Sequence, residues 1–162
     1  MDVAKAIVCS LVLSRLDYCN SILSGSPKCL IQTLQRIQNE AAWITLRMPR
    51  TEHTTPLQRL LRWLPISSRI VYKIGSMCHT ALTTAYPKYL SELLNVYIPA
   101  RPLRSSSDLN MLTIGTARTK SYGERAFAYQ RPINWNRVPG GIRTVEENDT
   151  LKRNLKTALF VR

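Results

Sequence analysis

Any chemistry in this chain has to come from ten carboxylates, two histidines and four cysteines. A metal-dependent polymerase or nuclease needs paired carboxylates around a divalent ion. Asp2, Asp17, Asp108 and Asp149 are scattered instead. Glu146-Glu147, the adjacent pair, lies in a polar stretch just ahead of a helix, where negative charge suits the helix N-terminus. His53 sits in a polar connector beside Glu52, with no serine or cysteine in nucleophile context. Cys9, Cys19 and Cys29 form no C-x-x-C pair, and Cys78-His79 has no second pair to complete a tetrahedral site. Neither a Walker loop nor a Rossmann glycine pattern occurs. The sequence therefore predicts no catalytic residue, no metal ligand and no cofactor. The cysteines read as buried free thiols suited to a reducing compartment.

The basic residues carry more. The formal charge is +13, and 16 of the 23 basic residues are arginine. Arginine binds phosphate bidentately and stacks on bases, so this bias points to a nucleic-acid partner. Arg101, Arg104, Arg118, Lys120, Arg125, Arg131 and Arg137 fall in one irregular region, opposed only by Asp108 and Glu124. Tyr97, Tyr122, Phe127, Tyr129 and Trp135 are interleaved with them. Two readings stay open. Either the cations neutralise phosphates while the aromatics stack on bases, or the aromatics are core and the arginines tie down loop carbonyls. Basic residues of the first half, such as Arg36, Arg47, Arg59, Arg62 and Arg69, read as a solvated helix surface.

The elements that position these residues are mostly helical. Residues 3–23 read as one helix with Val3, Ala6, Ile7, Leu11, Tyr18 and Ile22 on its apolar face. Val8, Val12, Leu13 and Leu16 widen that face, so the helix should be central. Gly25 ends it, and Ser26-Pro27 opens a second helix to residue 46. Leu30, Leu34, Ile37, Ala41 and Ile44 give this one a heptad-like seam. A short loop should make the two an antiparallel hairpin. Thr55-Pro56 then caps a short helix ended by Pro65, with Trp63 at the elbow. A longer helix follows over residues 66–82, with Ile66, Ile70, Ile74, Met77 and Ala81 on one face. The hairpin is expected to pack on that face.

A shorter helix is expected over residues 87–94. From Tyr97 the prolines, Ser105-Ser106-Ser107 and Gly115 exclude a long helix. Leu112 and Ile114 suit a short strand, and residues 122–129 a short helix. Pro132, Pro139, Gly140 and Gly141 read as breakers. Leu151, Leu155 and Leu159 mark a last helix over residues 149–160. The apolar run from Ala6 to Leu13 has the wrong flanks for a signal peptide, and no run is long enough to span a bilayer.

Several phrases together resemble a known family. They are Ser14-Arg15-Leu16-Asp17-Tyr18-Cys19-Asn20-Ser21, Leu34-Gln35-Arg36-Ile37-Gln38-Asn39-Glu40-Ala41-Ala42, His53-Thr54-Thr55-Pro56, and Arg62-Trp63-Leu64-Pro65-Ile66 with Arg69-Ile70. The series continues with Pro87-Lys88-Tyr89-Leu90, Pro99-Ala100-Arg101-Pro102-Leu103-Arg104-Ser105, Tyr122-Gly123-Glu124-Arg125-Ala126-Phe127, Trp135-Asn136, Ile142-Arg143 and Leu155-Lys156-Thr157-Ala158-Leu159-Phe160. In this order they resemble the C-terminal part of reverse transcriptases of jockey-related non-LTR (LINE-type) retrotransposons. The likeness runs from about Ala4 to Phe160. It implies the thumb and the extension beyond it, in a parent enzyme that copies RNA into DNA at a nicked target. It also implies that the catalytic aspartates, of the Tyr-Ala-Asp-Asp type, lie upstream, so no catalytic residue carries over. Arg62 stands where the family usually has histidine, and Gln130-Arg131 and Asn134 replace small or apolar residues.

The expectation is a mainly α chain: a helical, thumb-like bundle over residues 1–96 and a short, irregular α+β tail over residues 97–162. Arg101, Arg104, Arg118, Lys120 and Arg125 are the expected nucleic-acid contacts, made to RNA or DNA backbone without sequence preference. The resemblance adds an upstream polymerase palm as a partner in the parent protein. No membrane partner is expected, and the setting is intracellular, nuclear if the chain acts as in the parent element. The rival reading is a domesticated helical protein-interaction module without nucleic-acid affinity.

Overall fold

The computed structural model describes residues 2–99, 110–119 and 122–161. The chain is mainly α-helical, as expected. It divides into two compact units, Met1–Ile70 and Val71–Arg162. The change of composition at Tyr97 therefore lies well inside the second unit. Among the described residues no helix is long and apolar enough to cross a membrane.

In the first unit, α1 (Asp2–Val8) runs through a π turn (Cys9–Leu13) into α2 (Ser14–Asp17). Ser14 N–H donates to the Cys9 carbonyl, which widens the turn by one residue. The helical rod ends at Asp17, not near residue 23, because Tyr18 is extended and Cys19 is left-handed at φ 51°. A 3₁₀ turn (Asn20–Leu23) follows. Then come α3 (Lys28–Leu46) and α4 (Thr54–Leu61), which pack together. Both end in left-handed arginines, Arg47 at φ 54° and Arg62 at φ 57°. Met48 N–H reaches the Trp43 carbonyl, and Trp63 N–H the Gln58 carbonyl, a helix-ending motif in which glycine is the usual left-handed residue.

The core of this unit joins Leu13, Ala41, Ala42, Leu57, Leu61 and Trp63, with Val8, Val12 and Leu16 against it. That reverses the expected face of the first helix: Val3, Ile7 and Leu11 are exposed at 75%, 51% and 66%. The helix is apolar on so much of its circumference that periodicity alone selects no side. The expected seam of α3 is corrected likewise. Ile37 and Ile44 are exposed, and the buried face is Gln38, Ala41, Ala42 and Thr45.

The polar part of that face has a purpose. Pro65 interrupts the backbone between α4 and α5 (Ile66–Thr84), leaving the Leu64 carbonyl and the Ile66 N–H without helical partners. Gln38 Nε2 donates to the Leu64 carbonyl at 2.8 Å, and Ile66 N–H donates to Gln35 Oε1 at 2.9 Å. Asn39 Oδ1 accepts from both Gln35 Nε2 (2.9 Å) and Gln58 Nε2 (2.8 Å). These amides fix the elbow at Trp63 from the side. Asp17 fixes the start of α5 from the other chain segment: Arg69 donates twice, Nε to Oδ1 at 2.8 Å and Nη2 to Oδ2 at 2.6 Å. The two side chains are only 14% and 29% exposed, so solvent screens the pair weakly. Asp17→Asn is expected to lower stability by about 2 kcal/mol. In urea unfolding this appears as a lower midpoint at constant slope; an unchanged midpoint would remove the pair from the stability of the unit.

The second unit contains the rest of α5, α6 (Lys88–Ser91), α7 (Phe127–Asn136), α8 (Gly140–Arg143) and α9 (Asn148–Val161). Leu151, Leu155 and Leu159 of α9 are buried, as their spacing by fours predicts. α5 approaches closely at Gly75, where an added Cβ would lie 3.0 Å from Leu155 Cδ2. A small cavity in this unit is lined by Val71, Val138, Leu155 and Leu159 among others. Two expectations fail here. The strand at Leu112 is a single antiparallel bridge to Val96, and Ile114 is exposed. Helix α7 starts later than expected and runs through Pro132. The proline removes one N–H, but it and Trp135 are both fully buried, and that burial outweighs the lost bond.

Candidate nucleic-acid interface

Of the five expected phosphate contacts, Arg101, Arg104 and Lys120 lie outside the described residues. Arg118 and Arg125 stand at the two ends of one loop. Thr119 holds that loop: its Oγ1 accepts from Gly123 N–H at 2.9 Å and its carbonyl from Glu124 N–H at 3.0 Å. The fit is tight, since a Cβ on residue 123 would sit 2.7 Å from the Thr119 carbonyl oxygen, so Gly123 is required there. Arg118, which precedes the clasp residue Thr119, is exposed, and so is Tyr122, at 83%. Arg125 is half-buried and already engaged within the protein. Arg118 is thus placed to meet an external phosphate, whereas Arg125 would have to exchange an internal partner for one.

Two other cations of the basic set do different work. Arg69, read from sequence as solvated, is the Asp17 partner. Arg131 is buried at 6% exposure and faces no solution phosphate. Its guanidinium lies 5.8 Å from the Phe127 ring centroid, and its Nη1 has no hydrogen-bond partner. Burial holds this guanidinium below its usual range, with the Cys78 thiol opposing. Burial also pushes the Cys78 thiol up to about 12, against the pull of Arg131. Cys78 is therefore a protonated thiol at neutral pH and a poor nucleophile. His79 beside it is buried, with Nε2 2.7 Å from the Val145 carbonyl, which the Nε2–H tautomer donates to. No group of three His, Cys, Asp or Glu side chains placed to hold a metal ion occurs among the described residues.

The aromatics split between the two open readings. Trp135 is fully buried and donates from Nε1 to the Asn110 carbonyl at 2.6 Å. Asn136 extends that anchor, accepting from Leu112 N–H and donating to the Leu112 carbonyl, both at 2.9 Å. Phe127 and Tyr129 are half-buried. Tyr97 and Tyr122 are exposed. Tyr86 and Tyr89, which lie outside the aromatic set interleaved with the basic residues, are also exposed. The one local signal for them was their position on either side of Pro87-Lys88, a stretch too short and polar to bury both rings. Comparison with protein-family models, curated proteins and solved structures gives no match.

Proposed function

We propose that the chain is a non-catalytic C-terminal segment of a retrotransposon RNA-directed DNA polymerase, and that it binds nucleic-acid backbone with little sequence preference. The observation that carries the reading is where the resembling phrases fall. Asp17 of one phrase bonds Arg69 of another, 52 residues on. Gln35 and Gln38 of a third serve the backbone on either side of Pro65. Trp135-Asn136 anchors the segment at Asn110 and Leu112. Two of these contacts join one resembling phrase to another, as parts of one fold require, and the ordered likeness of the phrases supplies the family. The charge of +13 with its arginine bias supports the ligand class, because backbone contact suits any template sequence.

A second reading, the protein-interaction module, draws support from the exposed stripe of Val3, Ile7 and Leu11, spaced by fours on one helical rod. Fluorescence anisotropy at low salt separates the two. Labelled single-stranded RNAs of unrelated sequence are expected to bind with similar affinity. Failure of all of them to bind would leave the interaction module.

A further inference from the structure

We propose that Tyr86 and Tyr89 form a stacking step for the bases of single-stranded nucleic acid, with Lys88 between them on the phosphate backbone. The inference rests on the backbone-binding reading and adds the strand class that the surface selects.

Tyr86 is 75% exposed and Tyr89 67% exposed, so both rings give up most of their apolar surface to water. The backbone beneath them is braced. Tyr86 N–H donates to Thr84 Oγ1 at 3.2 Å, and that hydroxyl gives its own proton to the Thr80 carbonyl at 2.6 Å, which ties Tyr86 to the end of α5. Ser91 Oγ donates to the Lys88 carbonyl at 2.9 Å, and Leu90 N–H to the Pro87 carbonyl at 2.9 Å. Large exposed rings on a braced backbone lose little conformational freedom when a base settles on them.

Charge complementarity selects the occupant. The Lys88 side chain is 87% exposed, and its ion-pair partner Glu92 is 3.8 Å away and itself 63% exposed. Such a pair contributes little and exchanges readily for phosphate. A cation flanked by two exposed aromatics, on a chain of net charge +13, matches a polyanion with accessible π faces. Bases are accessible in that way only when unpaired, so the surface selects a single strand over a duplex.

The test compares an oligothymidylate with an abasic strand of equal length and equal phosphate count. It uses the wild type, the double variant Tyr86→Ala/Tyr89→Ala, and the double variant Tyr86→Phe/Tyr89→Phe. Stacking is worth roughly fivefold to a hundredfold per base, so the wild type should prefer oligothymidylate by about tenfold or more. The alanine variant should bind both strands at the abasic level, with an unchanged salt slope. The phenylalanine variant should keep the preference, which shows that ring faces and not hydroxyls are used. Equal wild-type affinity for the two strands would overturn the stacking step while leaving backbone binding intact. A preference that survives in the alanine variant would overturn it as well. If neither strand binds at low salt, the backbone reading itself fails and the step falls with it.

Discussion

Ile74→Asp is expected to remove most of the stability of the unit that contains it. Ile74 has no exposed surface and sits on α5 next to Gly75, where Leu155 comes within van der Waals reach. A carboxylate at that fully buried position loses its hydration, and it escapes part of the cost by taking up a proton. The expected loss is about 4 kcal/mol or more, a large share of the ~5–15 kcal/mol that holds a domain together. For a chain of this length that is a fall in melting temperature of about 10 °C or more. Ile44→Asp is the control. The heptad-like seam would bury Ile44, but it is 65% exposed, so the loss should stay below about 1 kcal/mol, part of it from a negative charge near the C-terminus of α3. Equal losses in the two variants would contradict the assignment of buried faces.

Trp135→Ala should have an effect of similar size by a different route. The substitution empties a fully buried indole site and leaves the Asn110 carbonyl without its donor. Truncating a buried tryptophan costs about 3–5 kcal/mol, and losing the hydrogen bond to Asn110, an exposed residue whose carbonyl water can reach, adds about 1 kcal/mol or less. Trp135→Phe separates the terms, because it fills most of the volume and removes only the N–H. Its loss should be roughly the hydrogen-bond part alone. Hydrogen exchange gives a second readout: the Leu112 amide, held by Asn136, should exchange faster in Trp135→Ala as the anchor loosens. Full protection of that amide in the alanine variant would mean that Asn136 holds the segment unaided.

The helical class and several elements were legible because their signals are local. The leucines of α9 repeat by fours, and the face of Ile66, Ile70 and Ile74 is buried as their spacing says. What stayed hidden depends on tertiary choices. Arg47 and Arg62 take the left-handed position that glycine would have advertised. Cys19 stops the first helix by a backbone twist that its side chain does not announce. A helix apolar all round gives no reason to bury Val8 and Leu13 while exposing Ile7 and Leu11. The glutamines of α3 look like a solvated surface until Pro65 supplies the backbone groups they satisfy.

The candidate site was legible as a region and not as a set of residues. Net charge and arginine bias point to a phosphate-bearing ligand from composition alone. Which arginine reaches solvent depends on contacts that spacing cannot show. Arg118 and Arg131 fall in the same basic region of the sequence, but one is exposed next to the Thr119 clasp and the other is buried near Phe127, while Arg69, which spacing places on a solvated helix surface, pairs with Asp17.

The most direct test of the central claim is a salt titration of RNA affinity for the wild type against Arg104→Ala/Arg118→Ala, with circular dichroism showing both proteins folded. Each phosphate contact contributes roughly 0.7 to 0.9 to the slope of log affinity against log salt. The double variant is therefore expected to bind every sequence more weakly and to flatten the slope by about 1.4 to 1.8 units. Equal slopes in the two proteins would contradict the account by removing these arginines from the interface.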